Sequence, residues 1–325
     1  MLIAFGTRPE YIKVKSLIDH IPNVKTLFVG QHTNLLEGII TNYHIDIQDT
    51  SNNRLNNIMS SVLQFNIPSD IKQVLVQGDT TAALSVAMNA FNHGIQVIHL
   101  EAGLRTGDKT DPYPEELNRQ LISRLASIHL CPTLLNQQNL LKENITGEIH
   151  VVGNTGLDNI DPSNITYGNI VLVTLHRRNN HPIIDQWFTQ LEELANEYPE
   201  LEFILPIHPN PNVIKYKYLL NKVNVIDPVS HKEMINIIKK CKFIISDSGG
   251  IQEEASFLRK RIIICRKNTE RPEVLENFGV LCKDVSELKD KFIEINENFY
   301  VSDDINCPFG DGMSWKKIIP LFQNQ

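Results

Sequence analysis

The sequence predicts an α/β protein of two doubly wound, Rossmann-like domains with a cleft between them. Three observations carry this expectation. Short apolar runs without polar alternation recur along the chain, and most lead into a stretch of helical periodicity. That is the pattern of parallel strands covered on both faces. The alternation lapses between about Gly153 and Asn169, where Asn, Asp, Gly and Ser dominate, and then resumes. The 325 residues are too many for one small core and suit two domains of ordinary size. The expected division is residues 1–160, a first domain carrying acid and base residues; 161–305, a second domain; and 306–325, a tail that packs back across the junction.

In order, strands are expected at Leu2–Phe5, Lys25–Val29, Val74–Val76, Val97–Leu100, Ile128–Cys131 and Ile149–Val152. Helical patterns cover Tyr11–Ile21, Leu35–Tyr43, Leu55–Phe65, the Ala-rich Ala82–Asn92, Glu115–Ala126 and Leu134–Glu143. After the junction come strands at Ile170–Thr174, Phe203–Ile207, Val223–Ile226, Phe243–Ile245 and Ile262–Cys265. Helices are expected at Ile183–Glu197, Lys232–Lys240, Ile251–Leu258 with carboxylates in its first turn, and Val285–Asn298. A short amphipathic pattern over Met313–Phe322 ends the chain.

Composition excludes several classes. Hydrophobic residues make up 42% and charged residues 21%, a globular balance. The net charge is −7, from 31 basic and 38 acidic side chains, so a general nucleic-acid binder with a basic face is not expected. A local basic pocket for one small diphosphate is compatible with that charge. The five cysteines, Cys131, Cys241, Cys265, Cys282 and Cys307, are dispersed without a C-x-x-C pair, as in reduced, cytoplasmic proteins. Most adjoin apolar runs, where packing is their ordinary task. Met1–Gly6 runs straight into a strand without the basic start of a signal peptide, and no apolar run reaches membrane-spanning length, so no membrane partner is expected.

Doubly wound sheets bind ligands outside the carboxyl ends of their strands, and the chemistry-bearing residues fall there. Ser246-Asp247-Ser248-Gly249-Gly250 follows the Phe243 strand and opens a helix. Strand, Gly/Ser turn and helix together point free N–H groups and a positive helix end at an anion, so this is a candidate diphosphate cradle built on Ser248, Gly249 and Gly250. An ordinary tight turn is the competing reading. Gly6-Thr7-Arg8-Pro9-Glu10, with Lys13 one turn on, offers two cations, or simply a charged first turn. Asp79, in Gly78-Asp79-Thr80-Thr81, is a candidate acid–base group or a helix N-cap. Glu101 ends a buried strand as a reactive or a salt-bridged carboxylate. Glu115, in Pro114-Glu115-Glu116, is a third acid or a helix-start carboxylate. His176-Arg177-Arg178 after the Thr174 strand suits a diphosphate or uracil, and His208 ends the next strand in a Pro-rich loop. Arg271, in Glu270-Arg271-Pro272-Glu273, can fork onto a phosphate or a ribose-side acceptor, or be surface charge. Three acids with Arg8 and Lys13 in one domain, and a cradle with His176 and Arg271 in the other, fit a substrate of a polyol joined to a diphosphate, such as a nucleotide sugar.

Those segments, together with Glu101-Ala102-Gly103-Leu104-Arg105-Thr106-Gly107, Val152-Gly153-Asn154-Thr155 and Asp247-Ser248-Gly249-Gly250-Ile251-Gln252-Glu253-Glu254, resemble the non-hydrolysing UDP-N-acetylglucosamine 2-epimerases over nearly the whole chain. The resemblance implies a glycosyltransferase-B-like fold, a homodimer, and interconversion of UDP-N-acetylglucosamine and UDP-N-acetylmannosamine without NAD or metal. It implies Asp79, Glu101, Glu115 and His176 as the chemistry, with Arg8 and Lys13 beside the departing diphosphate. Ser248, Gly249 and Gly250 would hold phosphate, Glu254 the ribose hydroxyls and Arg271 the nucleotide. The sequence departs from the family pattern in places. Asp227-Pro228 is followed by Val229-Ser230-His231, His176-Arg177-Arg178 continues with Asn179, and Gln31-His32 is followed by Thr33 where an activating second site carries Arg. The helix around Ser61 also lacks the arginine seen there in the family. These last two differences imply weakened activation by substrate.

Overall fold

The computed structural model describes residues 1–30 and 39–323. The chain forms two compact units, Met1–Asn159 with Gly310–Gln325, and Ile160–Phe309. The expected α/β class, with two parallel sheets, is what is found.

The first unit holds strands β1 (Leu2–Phe5), β2 (Lys25–Val29), β3 (Tyr43–Ile45), β4 (Gln73–Gln77), β5 (Gln96–Leu100), β6 (Ile128–Cys131) and β7 (Glu148–Val151). Its helices are α1 (Arg8–His20), α2 (Arg54–Leu63), α3 (Thr81–Asn92), α4 (Glu115–Leu125) and α5 (Leu134–Lys142). The strands pair in parallel in the order β3-β2-β1-β4-β5-β6-β7, so the winding direction reverses between β1 and β4. Successive residues of each strand serve opposite faces. Leu2, Ala4, Val74 and Val76 pack with Val62, Ala83, Ala87 and Ile122 of α2, α3 and α4. Ile3, Phe5, Leu75 and Ile98 pack on the other face with Val14 and Leu17 of α1. This two-sided burial is why the strands read as unbroken apolar runs.

The same second face receives the end of the chain. Ile318 is fully buried in that cluster and Trp315 packs against it, its ring stacked on His20 at a centroid distance of 3.8 Å. The Asp158 carboxylate accepts the N–H groups of Ser314 (2.8 Å) and Trp315 (3.0 Å) and the Ser16 hydroxyl (3.0 Å). A single acid thereby ties the last helices to α1, and its own burial raises it above the usual carboxylate range.

The second unit holds β8 (Ile170–Thr174), β9 (Glu202–Pro206), β10 (Asn224–Ile226), β11 (Phe243–Ser246), β12 (Ile262–Cys265) and β13 (Gly279–Cys282). Its helices are α6 (Ile184–Glu197), α7 (Pro211–Ile214), α8 (His231–Lys240), α9 (Gly249–Phe257), α10 (Val274–Asn277) and α11 (Leu288–Glu297); α12 (Ser314–Ile318) and α13 (Pro320–Gln323) belong to the first unit. The order β10-β9-β8-β11-β12-β13 reverses between β8 and β11. The core centres on Trp187, Phe188, Phe203, Phe243 and Phe292. The Phe292 ring meets those of Tyr198 (4.8 Å), Phe243 (5.2 Å) and Phe203 (5.7 Å). Lys260 is fully buried, its ammonium donating to the carbonyls of Thr166 (2.5 Å) and Cys241 (2.7 Å) and lying over the Tyr167 ring. Desolvation pulls its pKa down to about 8.

Several expectations need correction. Leu35–Gly38 of the expected Leu35–Tyr43 helix, and Gln31-His32-Thr33, lie outside the described residues. Residues 39–42 are not helical, and Tyr43 opens β3 beside β2 instead. Strand β13 was not anticipated because Gly279 interrupts a short run, yet it pairs with β12 from Ile262↔Gly279 to Cys265↔Cys282. Helix α9 starts at Gly249, not Ile251, so Glu253 and Glu254 fall beyond its first turn. No helix among the described residues is long and apolar enough to cross a membrane, and four of the five cysteines are buried thiols.

Removing the ring at the centre of the second core has a calculable cost. Phe292→Ala should destabilise the second unit by about 3–5 kcal/mol, through lost transfer energy and the cavity left behind. Urea unfolding followed by the fluorescence of Trp187, which lies in the same core, measures it; a change below about 1 kcal/mol would show that the core collapses freely around the gap.

Candidate active site

In the first unit the candidate residues follow β1, β4 and β5, three neighbouring strands at the point of reversal. Glu10, to which no role was assigned from its position in the chain, is the hub of two of these loops. Its buried carboxylate accepts the Gly6 N–H (3.0 Å) and the Thr7 hydroxyl (2.8 Å) on its own loop, and the Thr80 hydroxyl (2.7 Å) from the loop after β4. Burial raises it above the ordinary carboxylate range, against the lowering effect of those bonds. Arg8, the first residue of α1, is exposed.

Thr80, not Asp79, caps α3, accepting the Ala83 N–H at 3.1 Å. The capping alternative for Asp79 therefore does not hold. The Asp79 carboxylate instead meets Arg119 of α4, with Nε at 2.8 Å and Nη2 at 2.7 Å. Glu101 has the left-handed φ of +66°, a conformation costly for a side chain with Cβ. Its carboxylate accepts from Lys13 Nζ at 2.5 Å and from the Gln77 amide. Lys13, expected beside a diphosphate, is thus the partner of Glu101 here. Glu115 is the first residue of α4, half-buried, where the helix dipole favours a carboxylate. The structure thus sets Asp79 and Glu101 just past β4 and β5 and Glu115 at the start of α4, in three different settings.

In the second unit the reversal lies between β8 and β11, and Asp247 occupies it. This fully buried carboxylate accepts the N–H groups of His176 (3.0 Å) and Arg177 (2.9 Å) and the Asn180 amide (2.9 Å). The sequence placed Asp247 in the cradle but assigned it no task; its position one residue past an apolar strand was the available signal. His176 Nδ1 lies 3.6 Å from Asp247, its ring stacks on that of His208 at 5.1 Å, and its carbonyl lies 2.9 Å from His181 Nε2. Burial holds the His176 imidazole below its usual pKa, against the pull of Asp247. His208 is exposed, and its pKa too is lowered, chiefly by desolvation.

Beside this loop, Ser248 precedes α9 without using its hydroxyl as a cap, while Ser246 Oγ accepts the Ser248 N–H at 3.0 Å. The first-turn N–H groups of α9 have no intrahelical acceptors. A Cβ on Gly249 would lie 2.6 Å from Arg271 Nη1, so only glycine lets this guanidinium underlie the helix start. Arg271 is buried and held by Glu253 (2.7 Å) and Glu270 (2.5 Å), and Glu270 also pairs with Arg266 (2.7 Å). Surface charge, one sequence reading of Arg271, is thereby ruled out. Gly250 has open space around its missing Cβ. Glu254, one helical turn on, meets His231 Nε2 at 2.8 Å. Among the described residues no group of three or more His, Cys, Asp and Glu is placed to hold a metal ion.

Two strand-end clusters, one acidic and one built around a helix start, are now in view, and comparison with known proteins gives them a family. A family model described as UDP-N-acetylglucosamine 2-epimerase matches residues 22–323. The chain belongs to the UDP-N-acetylglucosamine 2-epimerase family. It is 36% identical to the UDP-N-acetylglucosamine 2-epimerase of Campylobacter jejuni, over 99% of this chain and 96% of that one. The crystal structure of UDP-GlcNAc 2-epimerase from Neisseria meningitidis bound to UDP-GlcNAc matches with a TM-score of 0.87 at 31% identity, covering 100% of this chain and 99% of that one. MurG of Acinetobacter baumannii matches at a TM-score of 0.60 and 13% identity, a likeness of fold alone. The family resemblance read from the strand-end motifs, and the glycosyltransferase-B-like class it implied, are both borne out.

The Asp247 hub yields a direct expectation. Asp247→Ala leaves three donors without their acceptor, at about 1–3 kcal/mol for each that stays buried. Hydrogen exchange of the His176 and Arg177 amides should accelerate while β8 stays protected. Unchanged exchange at those two amides would show that the loop is fixed by other contacts.

Proposed function

We propose that this chain interconverts UDP-N-acetylglucosamine and UDP-N-acetylmannosamine by reversible elimination of UDP, without net hydrolysis. The observation that carries the reading is the pair of clusters at the two points of strand reversal. Three carboxylates in distinct settings stand in one unit, and a glycine-opened helix start with a buried arginine beneath it stands in the other. The Neisseria relative bound to UDP-GlcNAc, and a Methanocaldococcus jannaschii relative solved with UDP-GlcNAc and UDP, support it.

The C2 hydrogen of the sugar is not beside a carbonyl, so its removal gains no enolate. It becomes feasible when the C1–O bond to UDP breaks in the same process. The electron pair of C2–H then forms the C1=C2 double bond of 2-acetamidoglucal, and the C1–O pair leaves with UDP. In the reverse sense a UDP oxygen attacks C1 and a proton arrives on the opposite face of C2. Asp79, Glu101, Glu115 and His176 are the groups proposed to move these protons. Arg8 and Lys13 would stabilise the departing diphosphate. Ser248, Gly249 and Gly250 would receive phosphate oxygens at the start of α9, with Arg271 behind them, Glu254 on the ribose hydroxyls and His208 beside His176. The reading extends to a cytoplasmic homodimer, whose mass light scattering would measure.

Incubation with UDP-N-acetylglucosamine in D₂O, followed by proton NMR, tests the proposal. Deuterium at C2 with UDP-N-acetylmannosamine appearing is the expected result. Free N-acetylmannosamine released with UDP would instead mean hydrolysis, and no exchange at all would end the reading. Glu101→Gln should slow the exchange by about 10²–10⁴-fold, the scale of one positioned acid–base group.

A second expectation follows from Thr33 and the region of Ser61, where the family pattern for an activating site is altered. The rate of conversion of UDP-N-acetylmannosamine should be hyperbolic and indifferent to traces of UDP-N-acetylglucosamine. A lag that such traces abolish would refute it.

A further inference from the structure

The proposed chemistry leaves Arg119, a buried cation of the first unit, without a task. Arg119 is 4% exposed, on the second turn of α4, four residues after Glu115. Two of its nitrogens, Nε and Nη2, converge on a single oxygen of Asp79, Oδ2, at 2.8 and 2.7 Å. The third, Nη1, is anchored on Glu116 Oε2 at 2.8 Å. Glu116 is fully buried and also accepts the Thr106 N–H (3.1 Å) and the Gln120 amide (3.2 Å), so the guanidinium is fixed from behind.

The backbone around Asp79 is fixed as well. Asn118, the neighbour of Arg119, donates Nδ2 to the Asp79 carbonyl at 2.8 Å. The Gly78 carbonyl lies 2.8 Å from Nε2 of His99, a fully buried imidazole that burial holds neutral, with its pKa near 3. Thr80, on the other side, is held by Glu10 at 2.7 Å. The Gly78–Thr80 turn is therefore tied to α1, β5 and α4 at consecutive residues. Only the carboxylate torsion of Asp79 remains to be set, and a fork closing on Oδ2 alone sets it, turning Oδ1 away from Arg119.

We infer that Arg119 is a positioning residue of the reaction: it orients the Asp79 carboxylate so that Oδ1 is the oxygen presented to the sugar. This rests on the epimerase reading and on Asp79 being one of its proton-transfer groups. It also gives α4 a single purpose, since the helix that carries Glu115 at its first residue aims Asp79 from its second turn. A lysine cannot replace the fork, because one ammonium cannot span Glu116 and meet Oδ2 from two directions.

The test compares wild type, Arg119→Ala, Arg119→Lys, Asp79→Asn and the Asp79→Asn/Arg119→Ala pair in the D₂O exchange assay, with thermal unfolding of each. Misplacement of a reacting group costs about 10²-fold, so Arg119→Ala should lose about that factor in kcat with KM within about threefold of wild type. Millimolar guanidinium should restore part of that rate in Arg119→Ala and none in Asp79→Asn. The double variant should be no slower than Asp79→Asn alone. If Arg119→Ala does not fold, Arg119→Lys carries the test and should show the same loss confined to kcat. A folded Arg119 variant with wild-type kcat, or a double variant slower than Asp79→Asn by the full Arg119 factor, overturns the inference. Absence of exchange in wild type would instead refute the epimerase reading itself, so the two failures are distinct.

Discussion

A parallel strand that ends inside a protein releases backbone and side-chain donors before solvent can receive them, and each unit answers this with one buried carboxylate. Glu10 takes the Gly6 N–H and the Thr7 and Thr80 hydroxyls. Asp247 takes the His176 and Arg177 N–H groups and the Asn180 amide. Both acids bridge the two loops that flank the reversal of strand order, β1 and β4 in one unit and β8 and β11 in the other. A buried carboxylate without such donors would be expensive, and the donors without it would be unsatisfied. The loops that carry Arg8, Asp79, His176 and Ser248 therefore hold their shapes as one consequence of how each sheet is wound.

The carboxylates proposed for chemistry are treated differently from these two. Glu101 shares a lysine and an amide and sits on strained backbone. Asp79 faces a guanidinium anchored from behind by a second, fully buried acid. Glu115 stands at a helix start. Acids in unlike environments can take unlike roles in one reaction, which is how a site removes a proton on one face and delivers one on the other. Strain at Glu101 is consistent with that division, since a non-glycine residue in the left-handed region persists only where its surroundings over-determine it.

Much of the fold was legible because two-sided burial writes itself into the sequence as apolar runs; β1, β2, β6, β8 and β12 have the expected limits. What escaped has physical reasons. Strand β13 contains a glycine and too few residues to show a pattern, and β3 is three residues long. Among the candidate site residues, Asp79, Glu101 and Ser248 stood out because they follow strands, and Glu115 because it opens a helix. Their partners did not, because an arginine inside a helix, such as Arg119, reads as a solvated face. His99, mid-strand, carries no mark that its ring meets the Gly78 carbonyl. Pairing across sequence separations of 40 and 21 residues leaves no local trace.

The charge balance also constrains how an anion can be held. In the second unit Arg271 is bounded by Glu253 and Glu270, and Glu270 is shared with Arg266, so two cations stand against two acids. Among these four groups the charges balance, in keeping with the net charge of −7. An anion bound where we propose would meet directional donors: the first-turn N–H groups of α9, which lack intrahelical acceptors, and the face of a guanidinium that reaches Gly249 closely enough to exclude a Cβ. Directional donors of this kind favour a small tetrahedral oxyanion of fixed position over a diffuse polyanion. A diphosphate meets that requirement, and a nucleic-acid backbone, which draws its affinity from accumulated positive charge, does not.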